Sequence, residues 1–116
     1  MDKFIQDQKL LCQNLSVLWE EVDKELKVGL ADNILDQIDP INGLRHPAEK
    51  DTTGWYFWAG QEFSTKKDWF KPYCVKDLVH IKPELIKYLA LPPGYRILID
   101  SKGYEDIWFD EKLKNI

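Results

Sequence analysis

The chain has 116 residues, of which 44% are hydrophobic and 13% aromatic. This composition excludes a disordered chain, and the length predicts one domain, 1–116, because a single core typically serves about 100–150 residues. Twenty acidic and sixteen basic side chains give a net charge of −4. That balance argues against a nucleic-acid partner, since neutralising phosphates requires a clustered basic surface.

Residues 1–38 are predicted to be helical. From Phe4 to Leu26 the apolar side chains recur at helical spacing and share an arc of about 100°, which is typical of a helix with one face on a core. Gly29 is predicted to end this helix, and residues 32–38 are predicted to form a short second one.

Acidic side chains are concentrated in the N-terminal half. Residues 1–51 hold eleven acids and six bases, whereas residues 52–116 hold nine acids and ten bases. Glu20 and Glu21 project away from the apolar stripe of the predicted helix, as does Val28, which is therefore expected to be exposed. The imbalance favours a basic partner, although an ordinary solvated surface explains it as well.

The middle of the chain alternates turn-forming and aromatic stretches. Residues 39–54 are predicted to form a long loop. The aromatic run 55–59 suits a strand that is covered on both faces. Residues 60–71 are predicted to be irregular, with a short helix around 75–79 and another that begins at Pro83.

The C-terminal part carries the clearest strand pattern. Residues 95–100 and 104–110 flank a glycine-containing turn and predict a β-hairpin. Glu105 and Asp106 on its second strand are expected to present carboxylates to a partner. The order of elements predicts an α+β fold, in which a long N-terminal helix packs on a small, mainly antiparallel sheet within residues 54–116.

Trp69, Phe70 and Tyr73 are predicted to be partly exposed binding anchors, because they fall in a charged, proline-containing loop. The remaining aromatic residues, Trp55 and Trp58 among them, are predicted to be core. A stacking platform for bases or sugars would need more accompanying positive charge than this chain provides.

The spacing of the cysteine and histidine residues argues against a redox motif and against a metal site. Cys12 and Cys74 lie far apart without CxxC spacing and are expected to be free thiols in a reducing compartment. His46 and His80 lack a second ligand at helical spacing, so no metal or other cofactor is expected. The sequence shows no secretory signal and no membrane-spanning run, and we expect a cytoplasmic protein that does not contact the membrane.

Three stretches, GWYFWAGQEFS at 54–64, LALPPGYRILI at 89–99 and GYEDIWFD at 103–110, together resemble the Imm33-type immunity proteins. The resemblance covers about residues 40–116. It implies an α+β fold and a noncatalytic role, that of a cytosolic antidote that binds a cognate bacterial toxin and occludes its active site. It implies no catalytic residues.

The motif residues themselves are predicted to determine the fold, with Gly54, Gly94 and Gly103 at turns. Four large side chains of the motifs are predicted to be core: Trp55, Trp58, Trp108 and Phe109. Two other functions remain open. One is a small-ligand or peptide-binding module that uses the aromatic loop, and a deep apolar pocket would favour it. The other is a small hydrolase built on the hairpin carboxylates or Cys74, and a carboxylate or thiol with a strongly shifted pKa in a cleft would favour it. The oligomeric state stays open.

Overall fold

A six-stranded sheet with most of its helical segments packed on one face forms the fold, and the α+β prediction is confirmed. The computed structural model describes residues 2–60 and 69–115. The elements in chain order are α1 (Asp2–Asn14), β1 (Lys27–Ala31), β2 (Ile41–Arg45), β3 (Thr52–Ala59), β4 (Phe70–Cys74), a 3₁₀ turn (Val75–Asp77), α2 (Leu78–Ile81), a 3₁₀ helix (Pro83–Tyr88), β5 (Tyr95–Ile99), β6 (Glu105–Phe109) and a C-terminal 3₁₀ helix (Glu111–Asn115).

The strands lie in the order β4-β1-β3-β2-β5-β6. The pair β1–β3 is parallel and the other four pairs are antiparallel. The predicted hairpin is confirmed, with Tyr95 opposite Phe109 and Ile99 opposite Glu105. Within the described part of the chain, β4 and β6 are therefore the two edges of the sheet.

The predicted N-terminal helix is confirmed, but its predicted length is wrong, because α1 ends at Asn14. Ser16 has a φ of 57°, and the amide of Val17 donates to the carbonyl of Cys12 at 3.0 Å. A residue in the left-handed conformation, followed by an amide that donates to a carbonyl five residues earlier, is a common way to end a helix. The apolar pattern that continues beyond residue 16 belongs to an extended segment, in which Leu18 is 78% exposed.

The segment that follows is a strand and turns instead of a helix end and a second helix. Val28 and Leu30 alternate with Gly29 in β1 and are buried, so the expected exposure of Val28 is wrong. A Cβ at Gly29 would lie 2.5 Å from the ring of Tyr56, so close packing across strands explains this glycine. Residues 32–38 form turns.

Two further strands replace predicted loops. β2 lies inside the predicted loop 39–54, and β4 contains Phe70 and Tyr73, which we predicted to be in a loop. Of the stretch predicted to be irregular, residues 61–68 lie outside the described residues. The predicted short helices near residues 75–79 and from Pro83 are confirmed.

The main core lies between the sheet and the helices. Its buried side chains come from β1, β3, β5 and the segments after β4, and α1 adds partly buried residues; the largest are Trp55, Phe57, Leu30, Leu78, Leu85, Ile86, Leu89, Leu91 and Ile97. A smaller cluster on the opposite sheet face contains Ala31, Leu44, Trp58 and Leu113. The aromatic strand β3 is thus covered on both faces, as predicted. None of the described helices is long and apolar enough to cross a bilayer.

Gly54 lies within β3, whereas we predicted a turn. Its φ is +90°, and the register between β1 and β3 shifts beside it. A Cβ at this position would lie 1.9 Å from the carbonyl oxygen of His46, the residue that follows β2. Gly94 and Gly103 do lie at turns, as predicted.

Candidate partner-binding surface

The residues that we predicted to bind a partner lie on three separate parts of the molecule. Glu20 and Glu21 belong to the extended segment after α1, and the others lie on or beside the two edge strands: Trp69, Phe70 and Tyr73 at β4, Glu105 and Asp106 on β6. Five strand spacings of about 4.8 Å separate the two edges, a distance of roughly 24 Å. These side chains therefore do not form one continuous patch.

The segment 15–26 presents an acidic surface, although it is not a helix. Glu20 and Glu21 are exposed, and Glu25 forms an ion pair with Lys76 at 3.1 Å. Glu20 also acts on the partly buried Arg45: burial lowers the pKa of that guanidinium, and the charge of Glu20 opposes the shift. The charge of Glu20 thus acts on Arg45 while the carboxylate of Glu20 remains in solvent.

The aromatic residues near β4 pack partly on one another. The ring of Phe70 makes edge contacts with Trp69 at 4.9 Å and with Tyr56 at 5.2 Å between centroids. Trp69 and Phe70 are half-buried against the smaller hydrophobic cluster, whereas Tyr73 is exposed. The cavity beside Phe70 holds about 170 Å³, which is smaller than the roughly 300–1,000 Å³ of typical ligand pockets.

The prediction that Trp108 and Phe109 are core is wrong. Trp108 is 38% exposed, Phe109 is 48% exposed, and Tyr104 just before β6 is 54% exposed. Ile107 is the one residue of β6 that packs against the main core. The reason is the position of β6 at the edge of the sheet, where no further strand or helix covers it within the described residues.

An open groove of about 730 Å³ lies between the 3₁₀ helix Pro83–Tyr88 and the tip of the β5–β6 hairpin. Glu105 is its central carboxylate: it accepts a hydrogen bond from the Tyr88 hydroxyl at 2.5 Å and pairs with Lys87 at 3.0 Å. Burial and this hydrogen bond raise the pKa of Tyr88, so its hydroxyl remains a donor. The groove wall therefore carries an ordered, charged network.

The pKa of Glu105 lies below its usual value. Partial burial by itself would raise the pKa, but hydrogen bonds from Tyr88 and Lys87 and the charge of Lys87 outweigh that effect. The groove thus holds its carboxylate in the charged form. A general acid would require the opposite shift.

The lowered pKa predicts an acid-sensitive contribution to stability. A carboxylate with a depressed folded-state pKa stabilises the fold above the unfolded value of 4.5 and loses this effect as pH falls through the folded value. We expect Glu105→Gln to cost up to about 1 kcal/mol at neutral pH, because the pair is partly exposed, and to cost nothing in strong acid. Urea unfolding across pH measures this. Glu111→Gln is the control, and equal pH profiles for both variants would contradict the prediction.

Both cysteines are free. The thiol of Cys74 is contacted by the Lys27 ammonium at 2.9 Å and not by His80, which is exposed on α2. The contact with Cys74 raises the pKa of Lys27. Among the residues that the structure describes, no group of three histidine, cysteine or carboxylate side chains is placed to hold a metal ion.

The two thiols are expected to differ in reactivity. Cys12 is buried, and burial raises its pKa, so little reactive thiolate forms; Cys74 is only half-buried. A maleimide should therefore modify Cys74 in the native protein and Cys12 only after denaturation, as peptide mass spectrometry can show. Modification of Cys12 before Cys74 would contradict this burial pattern. Cys74→Ser should leave partner binding unchanged.

The sequence analysis missed the exposed aromatic residues of β6 and the partners of Glu105. One signal was available: residues 103–111 contain four acids and no base. Charged side chains are typical of edge strands, where they discourage aggregation. The contact of Glu105 with Tyr88 has no such local signal, because it joins residues 17 positions apart.

Comparison with known proteins identifies one family. The family model described as Imm33-like domain matches residues 7–110. The match extends over β1 and most of α1, beyond the residues 40–116 that carry the motifs. No curated protein and no solved structure matches the chain.

Proposed function

We propose that this chain, which belongs to the Imm33-like family, is an immunity protein that neutralises a cognate bacterial toxin by stoichiometric binding in the cytoplasm. The family match over residues 7–110 carries the proposal. The role is noncatalytic: the antidote occludes the active site of the toxin. The partner is a protein, and we propose that its surface is basic.

The charges of the described surface support a basic partner. Exposed carboxylates of the segment 15–26 lie in one region, and those of β6 lie at the far edge of the sheet. Opposite charges on two proteins accelerate their encounter, which benefits an antidote that must act before its toxin does.

Co-expression with the toxin tests this function. The product of the adjacent gene is the candidate toxin, and its C-terminal domain is expressed with and without the chain. We expect the chain to restore growth and to co-purify with the domain as a 1:1 complex. Rescue without a complex, or turnover of a small substrate by the isolated chain, would contradict neutralisation by binding.

Charge reversal in the acidic segment is expected to slow association. The toxin domain should bind the double variant Glu20→Lys and Glu21→Lys about tenfold more slowly at low salt. The difference should shrink at high salt, because salt screens the long-range attraction by which exposed charges accelerate association. Trp69→Ala should instead speed dissociation, since removing an aromatic anchor costs about 2 kcal/mol. Surface plasmon resonance at two ionic strengths separates the two effects.

The matched control for the charge reversal is Asp36→Lys combined with Asp77→Lys. Both carboxylates are exposed, and the total charge changes equally. An equal slowing in this control would mean that net charge, and not the segment 15–26, directs association. Thermal unfolding of each variant checks that the fold is retained.

A peptide-binding module is the second candidate function. The groove of about 730 Å³ beside Glu105 favours it, because its volume suits a short peptide segment or a small ligand. This groove lies at the hairpin and not at the aromatic residues near β4, where we expected such a site. Binding of free peptides together with a failure to bind the toxin domain would favour this candidate.

A further inference from the structure

We propose that β6 binds an extended, basic segment of the toxin as a seventh strand of the sheet. The inference rests on the proposed function, since it names how the partner is recognised. Three features of the described residues carry it: the free backbone edge of β6, its exposed aromatic side chains, and its carboxylates, of which Asp106 has no ion pair with a described residue.

The backbone of β6 offers hydrogen-bonding groups along its outer side. The amide of Asp100 donates to the carbonyl of Tyr104, and the amide of Asp110 donates to the carbonyl of Gly94. Hydrogen-bonded pairs alternate in an antiparallel ladder, so Asp106 and Trp108 bond to β5 in between. The peptide groups of three residues therefore point away from the sheet: Glu105, Ile107 and Phe109.

The opposite edge of the sheet is protected against such pairing. β4 contains Pro72, which has no amide hydrogen, and Lys71, which forms an ion pair with Asp32. Proline and lysine are the residues with which natural proteins protect edge strands. β6 contains neither residue, and its two charged side chains are both acidic, so of these two edges it is the one open to a basic strand.

Side chains on both faces of β6 would contact an added strand. Trp108 projects on the face opposite the helices, and Phe109 projects on the helix face, where its ring contacts Tyr95 at 5.4 Å. Both remain more than a third exposed. Aromatic residues in this position are the anchors that most often dominate binding energy.

The charge of β6 selects a basic occupant. Glu105 of β6 is paired with Lys87, and Asp110 just beyond the strand is paired with Arg96 at 2.9 Å. Asp106 of β6 and Glu111 of the following 3₁₀ helix have no ion pair with any described residue. A second copy of β6 would bring further acids against these carboxylates, and like charges across strands are destabilising. A lysine- or arginine-rich strand is attracted instead.

Amide hydrogen exchange on the isotope-labelled full chain tests the proposal. The probe is a peptide of about eight residues that alternates lysine and valine, and the control peptide alternates glutamate and valine. We expect the basic peptide to shift and slow the amides of Ile107 and Phe109 but not those of Asp106 and Trp108, which already bond to β5. No response at β6, an equal response to both peptides, or dimerisation of the free chain through β6 would overturn the proposal.

Variants extend the test to the toxin domain. Asp106→Lys should lower the affinity for the basic peptide at least about fivefold. Trp108→Ala should lower the affinity for the toxin domain about thirtyfold. Asp77→Lys and Leu10→Ala are the controls, since both residues are exposed and lie outside β6. Wild-type affinity in both β6 variants would overturn the proposal.

The outcomes separate this inference from the proposed function. A 1:1 toxin complex in which the amides of Ile107 and Phe109 stay unprotected would leave neutralisation standing and defeat strand addition. A basic peptide that protects these amides while the toxin domain fails to bind would contradict neutralisation and the toxin as occupant, but it would still support β6 as a site for adding a basic strand.

Discussion

Gly54→Ala is expected to lower the free energy of unfolding by about 3 kcal/mol or more. The residue has a φ of +90°, which residues other than glycine rarely adopt. An added Cβ would lie 1.9 Å from the carbonyl oxygen of His46. That oxygen belongs to the main chain, so relief requires β2 and β3 to separate. The hydrogen bond from the amide of His46 to the carbonyl of Gly54, now 2.9 Å, would then weaken. Urea unfolding at neutral pH measures the loss.

Gly103→Ala is the matched control for this substitution. Gly103 has nearly the same φ, +93°, but nothing lies within 4 Å of the Cβ position. Backbone strain alone then costs about 1–2 kcal/mol. The difference between the two variants isolates the collision with the backbone of His46. Equal losses would contradict the close approach of His46 to Gly54.

Trp55→Ala is expected to cost about 3–5 kcal/mol of stability, as is typical for a large aromatic residue in a core. Trp55 is 1% exposed, stacks on Phe57 with centroids 5.1 Å apart, and donates from its indole nitrogen to the carbonyl of Leu89 at 2.9 Å. The substitution removes the packing and leaves a buried carbonyl with fewer partners. Thermal and urea unfolding should both show the loss.

Trp108→Ala provides the comparison within the same residue type. Because Trp108 lies on the outermost strand, its loss should cost no more than about 1 kcal/mol of stability while it weakens toxin binding. The two substitutions should therefore have different effects: Trp55→Ala lowers stability, and Trp108→Ala lowers the affinity for the toxin. A large loss of stability in Trp108→Ala would place β6 in the core and contradict its role as an open edge.

The elements that the sequence predicts correctly are those encoded by local patterns. Alternating residues on either side of Gly103 predict the hairpin, and the aromatic run 55–59 predicts a strand buried on both faces. Pro83 likewise marks the start of the 3₁₀ helix Pro83–Tyr88. The motifs around these elements also identify the family, which the match over residues 7–110 confirms.

The N-terminal prediction failed because periodicity does not report where a helix stops. The apolar spacing from Phe4 to Leu26 suits a helix throughout, yet Ser16 adopts a left-handed conformation, and Val17 and Val22 reach the core from an extended segment. Val28 then enters a strand whose parallel partner, β3, begins 25 residues beyond the start of β1. Such pairing is a property of the whole sheet, and short-range spacing does not encode it.

The sequence by itself determined the fold class, the hairpin, the family and the acidic character of residues 103–111. The tertiary structure decided which strand is outermost, and with it the exposure of Trp108 and Phe109 and the free peptide groups between them. It also brought Glu105 to Tyr88 and Lys87. The physical reason is that strand propensity and charge are local, whereas an edge exists only relative to the strands that pair elsewhere, here the series β4-β1-β3-β2-β5 that leaves β6 last.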